Sequence, residues 1–157
     1  MAFDFNADDV FEMAEQIERN GAKFYRDAAA SVNDDRFKAV LEELAAMEDE
    51  HEKTFTNMRE ELKKAEKTST VFDPDGMAGQ YLKALADHRV FFEKEIDLSS
   101  MRAILKAAIG AEKDSIVFYL GMKEAVPGDR GKERIDGIIK EEMSHITRLT
   151  RELKALK

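Results

Sequence analysis

Two of the three histidines in this 157-residue chain stand three positions after a glutamate. The pairs are Glu48-x-x-His51 in "MEDEHEKTF" and Glu142-x-x-His145 in "EEMSHITRL". On an α-helix residues i and i+3 share a face, so each pair presents one carboxylate and one imidazole in the same direction. One such pair alone is weak evidence in a glutamate-rich chain. The two pairs gain weight from a common displacement: 142 − 48 and 145 − 51 both equal 94, and the same shift carries Glu18 onto Glu112, Phe24 onto Phe118 and Tyr25 onto Tyr119. Leu41 with Ile135, Leu44 with Ile138 and Phe55 with Leu149 keep their apolar character under it. The chain reads as one helical hairpin duplicated.

Four carboxylates and two imidazoles related by a two-fold repeat are what two adjacent hard-to-borderline divalent metals require, with bridging carboxylates holding the pair together. Without metal, that many acids in an apolar core would repel one another and suffer a large desolvation penalty. A metal-free helical interaction module that merely keeps the motif is the competing reading, and it leaves those acids uncompensated. Tyr25 and Tyr119 lie seven residues after Glu18 and Glu112, two turns along the same stripe. A buried phenol needs a partner, and a ligating carboxylate across the bundle is the nearest one. Phe24 and Phe118 are expected in the core. Gly21 and Ser115, each three residues after the lone glutamate, are expected to face the metals and leave space there. The third histidine, His88, has Leu85 three positions before it and is expected at a surface or interface.

The elements that must position these residues follow from the apolar period, which is helical nearly throughout. Asn6 can cap a first helix over 7–31. A second helix over 35–66 carries Phe37, Leu41, Leu44, Met47, His51, Phe55, Met58 and Leu62 as one stripe. Residues 67–98 form a long connection in which Asp73 caps, and Pro74 opens, a short helix with Met77, Tyr81 and Leu85 on one face. A third helix runs from Ser99 or Ser100 to Ala125, where "VPGD" ends it, and a fourth over 130–156. Two hairpins, 7–66 and 99–156, joined by a connection of about thirty residues imply an all-α four-helix bundle with one long crossover, helices two and three running parallel. One domain over 1–157 is expected.

Composition narrows the chemistry further. There is no cysteine, which excludes disulfides, thiolate zinc sites, iron–sulfur clusters and a thiol nucleophile and leaves oxygen and imidazole as metal donors. The net charge of −8, with acids and bases interleaved, argues against nucleic-acid and anionic-membrane partners. The start "MAFDFNADDV" lacks a basic stretch followed by an apolar one, and no run is apolar enough to span a bilayer, so a cytoplasmic location is expected.

In combination, "ERNGAKFY" from Glu18, "EDEH" from Glu48, "EKDSIVFY" from Glu112 and "EMSH" from Glu142 resemble the diiron domain of the rubrerythrin family in the ferritin-like superfamily, over essentially the whole chain. The resemblance implies a ferritin-like bundle whose diiron-carboxylate centre is ligated by Glu18, Glu48, His51, Glu112, Glu142 and His145. It implies two iron ions per chain, with manganese or zinc as possible substitutes. The implied activity is reduction of hydrogen peroxide or dioxygen with electrons from an external donor. The alternative it offers is a ferroxidase or iron-handling protein with Fe(II) as substrate. It further implies a homodimer or larger homo-oligomer. Two features depart from the family pattern: the four-cysteine rubredoxin-like domain has no counterpart, and Ser115 stands where an additional glutamate of helix three is found.

Overall fold

The structure, a computed structural model, describes residues 7–64, 76–87, 97–126 and 128–156. Five helices form among them: α1 (Ala7–Ser31), α2 (Asp35–Lys64), α3 (Met77–Asp87), α4 (Met101–Ala125) and α5 (Asp129–Ala155). Their starts have local causes. The Asp34 carboxylate accepts from the Phe37 N–H at 2.9 Å, satisfying a free donor of the first turn of α2. Ser100 does the same for α4, its hydroxyl accepting from Ala103 N–H at 3.0 Å. Gly128 opens α5 at φ +86°, a backbone conformation that side chains resist. The expected caps Asn6 and Asp73, Pro74, and also His88, lie outside the described residues.

Three-residue connections fold α1 against α2 and α4 against α5, and the two hairpins meet along α1–α4 and α2–α5. The core is in two parts. One gathers Val10, Phe11 and Ala14 of α1 with Phe55, Met58, Phe118, Tyr119, Met122, Ile135 and Ile138. The other gathers Tyr25 and Ala28 of α1 with Phe37, Leu41, Leu44, Ile104, Leu105 and Leu149. Along the chain, α1 and α5 pass from the first part to the second, whereas α2 and α4 pass from the second to the first. Helices α2 and α4 therefore run parallel, as a long crossover requires. Between the two parts, at the middle of every long helix, lie the buried glutamates and histidines.

Two stripes differ from the sequence reading. On α2, Met47 is only half-buried, and Glu48 takes the inward place beside His51. The apolar period could not show this, because it assigns the inward place to the apolar neighbour. On α3 the buried face is Ala78, Leu82 and Leu85 rather than Met77, Tyr81 and Leu85; Met77 is 68% exposed. The turn of the face comes from how α3 lies on α4. The Tyr81 ring covers Gly121, and its hydroxyl donates to the Val117 carbonyl at 2.8 Å. Phe24 is likewise partly buried, flanking the second apolar part and the Tyr25 ring at 5.3 Å. The α1–α2 hairpin is also tied by Arg59, whose guanidinium grips Asp8 through two bonds of 2.6 and 2.9 Å and donates to the buried Glu15 at 2.9 Å.

A Cβ on Gly121 would lie 2.5 Å from Cε1 of Tyr81, well inside contact distance. Gly121→Ala should therefore displace Tyr81 and cost about 1 kcal/mol or more, against a helix-propensity gain of up to about 1 kcal/mol. In a Tyr81→Ala background the same substitution should cost much less, because only Leu82, 3.1 Å from that Cβ, is left to give way. Denaturant unfolding of the four proteins of this cycle reads the coupling, and additive effects would contradict the packing of α3 on Gly121.

Candidate metal centre

The charged layer takes Glu18 from α1, Glu48 and His51 from α2, Glu112 from α4, and Glu142 and His145 from α5. All six are between 1% and 4% exposed. Each sits at the level where its helix leaves one apolar part and enters the other, so its neighbours on the inward stripe are hydrophobic and water is excluded. All six residues singled out by spacing thus come together, in two overlapping groups. Glu18, Glu48, His51 and Glu142 form one; Glu48, Glu112, Glu142 and His145 form the other. In each group, one donor atom per residue lies within 4.8 Å of all the others. Glu48 and Glu142 belong to both.

The imidazoles point their Nδ1 atoms into the layer. His51 Nδ1 is 3.0 Å from Glu142 and 3.5 Å from both Glu18 and Glu48. His145 Nδ1 is 3.1 Å from Glu142, 3.3 Å from Glu112 and 3.8 Å from Glu48. The two rings lie nearly parallel, centroids 5.8 Å apart. The tyrosines bond crosswise: Tyr25 donates to Glu112 and Tyr119 to Glu18, each at 2.5 Å. Each phenol therefore reaches from its own hairpin to a carboxylate of the other. Gly21 stands beside the layer, since a Cβ there would touch the Glu48 side chain at 3.5 Å. Ser115 is buried too, but its hydroxyl donates to the Ala111 carbonyl at 3.0 Å, within its own helix.

Whether a metal fits can be judged from the polar atoms left without partners. Buried donors and acceptors are nearly always satisfied, yet Glu142 Oε2 and both nitrogens of His145 have no hydrogen-bond partner. Two of these three atoms face the other acids of the layer at 3.1 Å from one another. Each group offers three carboxylates and one imidazole, a donor set suited to iron, manganese or zinc in the divalent state. The residues fit a pair of such ions.

Protonation behaves as a layer short of positive charge would require. Burial pushes the Glu48 and Glu142 carboxyls up, and the neighbouring Glu112 charge adds to both; Glu142 reaches about 8. Burial also raises Glu18. Glu112 takes the opposite course, because the facing Glu142 carboxyl and His145 imidazole and the Tyr25 phenol together outweigh its burial and hold it down at about 2. The imidazoles are disfavoured as cations by burial but held as cations by the carboxylates around them: His145 is raised to about 10, and His51 is also raised. Burial and the facing carboxylates keep both phenols well above their ordinary value, so they remain donors. Protons thus supply the positive charge that a metal pair would bring.

Two further contacts were not legible in the sequence. Glu141, more than half exposed, places Oε2 2.5 Å from His51 Nε2. The shift of 94 puts it opposite Met47, so the repeat gives no sign of it. Arg59 with Glu15 and Asp8 lies outside the repeat as well, and only the i, i+7 spacing of Asp8 and Glu15 on α1 hinted at a shared face.

Comparison with known proteins places this arrangement. A family model described as Rubrerythrin matches residues 9–153. No curated protein sequence matches the chain. The fold is shared with the crystal structure of a Thermotoga maritima protein described provisionally as a ferritin-like diiron-carboxylate protein. The TM-score is 0.72 at 22% identity, over 100% of both chains. Among the described residues no helix is long and apolar enough to cross a membrane.

The pKa directions fix how metal binding responds to pH. In the metal-free protein, the stability contributed by His145, raised from 6.5 to about 10, is complete below about 6.5 and is lost as pH rises through about 10. Glu142, raised from 4.5 to about 8, costs stability over the same direction of change. Glu112, held at about 2, affects only acid conditions. A divalent ion displaces these protons, so its stabilisation, about 2.7 kcal/mol at a hundredfold excess over Kd, should grow with pH. At fixed free Mn(II), the melting-temperature gap between loaded and metal-free protein should widen from pH 6 to pH 9, and loading at pH 7 in weak buffer should release protons. A gap that narrows with pH would contradict the proton inventory of the layer.

Proposed function

The chain belongs to the rubrerythrin family, and on that premise we propose that it is a non-haem diiron-carboxylate oxidoreductase that reduces hydrogen peroxide or dioxygen. Glu18, Glu48, His51, Glu112, Glu142 and His145 would hold two irons. The observation that carries the proposal is the overlap of the two donor groups at Glu48 and Glu142, together with the unpartnered atoms of Glu142 and His145. Glu48 and Glu142, common to both groups, would each serve two ions, and two imidazoles, one per group, match a pair rather than a single ion. Bound iron supplies the redox chemistry, with electrons from an external donor.

The protein's own residues supply the setting. Tyr25 and Tyr119 fix one oxygen of Glu112 and of Glu18, orienting the carboxylates that each group does not share. The two apolar parts keep water from both ends of the layer, which strengthens every charge interaction within it. Gly21 covers Glu48 with backbone alone, a Cβ there being already in contact with that side chain at 3.5 Å. A ferroxidase role uses the same residues with Fe(II) as substrate, and the experiment below separates the two.

Metal analysis of reconstituted protein should find about two ions per chain, and Glu48→Ala or Glu142→Ala should lose most of both, because each residue belongs to both groups. Glu18→Ala or Glu112→Ala should lose about one. No iron, manganese or zinc retained or taken up by the wild type would overturn the reading. Anaerobic protein loaded with two Fe(II) per chain and mixed with hydrogen peroxide or with dioxygen should oxidise faster with one oxidant and turn over with added reductant. Oxidation of many Fe(II) per chain, with ferric product retained, would assign it to iron handling instead.

A further inference from the structure

The duplication that builds the centre is broken at one contact. His51 and His145 are repeat mates, and both turn Nδ1 toward the carboxylates. Their outer nitrogens differ. His51 Nε2 meets the Glu141 carboxylate at 2.5 Å, whereas His145 Nε2 is buried with no partner. The residue that mates with Glu141 under the shift of 94 is Met47, which has no oxygen to offer. An imidazole that donates its far N–H to a carboxylate is fixed in tautomer and ring angle and becomes a more basic ligand through its near nitrogen.

We propose that Glu141 is a positioning residue that makes the two halves of the centre unequal, so that the group of Glu18, Glu48, His51 and Glu142 fills with metal before the group of Glu48, Glu112, Glu142 and His145. In the first group the imidazole is held ready by the Glu141 carboxyl at its outer nitrogen. In the second, binding must also order an imidazole that has no outer anchor, and its N–H stays unpaired in an apolar surrounding. The inequality rests on the metal-centre reading above and concerns only the order and strength of filling. It gives one ion a firmly held imidazole and the other a looser one, a difference that a symmetric pair of Glu-x-x-His motifs does not suggest.

The test is an anaerobic titration of the metal-free protein with Co(II), followed by calorimetry and by the visible absorption of the bound ion. Wild type should load in two steps, the first about tenfold or more tighter than the second. Glu141→Ala, at a position exposed enough to leave α5 intact, should weaken the first step about tenfold and merge the two. Glu141→Gln, which keeps an acceptor oxygen, should fall between them. Met47→Glu should tighten the second step. Two-ion binding with the same steps in wild type and Glu141→Ala would overturn the proposal while leaving the metal centre standing. No uptake by any of the proteins would overturn both.

Discussion

Six ionisable side chains occupy one layer inside an apolar bundle, and most other features of the molecule answer to that layer. Moving a lone charge out of water costs several kcal/mol even after the protein relaxes, so four carboxylates cannot lie together unless positive charge lies with them. The two imidazoles, the raised affinity of the Glu142 and Glu48 carboxyls for protons, and the two phenol donors each meet part of that need. The layer also explains why the core has two parts. Each long helix must present apolar side chains on either side of it, and the layer itself cannot be packed with hydrocarbon. Helices of 25 to 30 residues are long enough to carry both apolar parts and the layer between them.

The repeat gives this layer its order. Because α1 with α4 and α2 with α5 run antiparallel, repeat mates meet only at the middle of the bundle, and mates away from it lie toward opposite ends, Tyr25 in the second apolar part and Tyr119 in the first. Glu18 is then brought near Tyr119 and Glu112 near Tyr25 without any special loop geometry. The connections need only set direction and register, and they do so with single local devices: the Asp34 carboxylate, the Ser100 hydroxyl and the positive φ of Gly128. Helix α3 stands outside the repeat and packs on the outer face of α4 through Leu82 and the Tyr81 ring.

The same logic shows which parts of the structure were legible in the sequence. Helix spans, the parallel middle pair and the six-residue constellation follow from period and repeat, since both are properties of residues along one element. The crosswise tyrosine bonds were open to the argument that a buried phenol needs an acceptor. The half-exposure of Met47 was not visible in the apolar stripe, because that stripe counts hydrophobic residues, whereas the Glu48-x-x-His51 spacing already placed the glutamate inward. The face of α3 was misassigned for a related reason. Eleven residues give two apolar faces of similar quality, and the choice was made by the bare backbone at Gly121 on another helix. Glu141 escaped because it departs from the repeat that made the other residues conspicuous.

The crosswise tyrosines carry a consequence for how such a molecule can arise. A single hairpin would hold one Glu-x-x-His pair, one lone glutamate and one phenol, but it would lack the carboxylate to which that phenol donates, which belongs to the other hairpin. Two copies set head to tail repair that deficit in both at once, so the self-associated hairpin, rather than the hairpin alone, is the smallest complete unit. Joining the copies through a crossover removes the obligation that they be identical. Each position then becomes free to specialise on one side only, and an ancestral symmetric pair can become a directional one without any change in its helices.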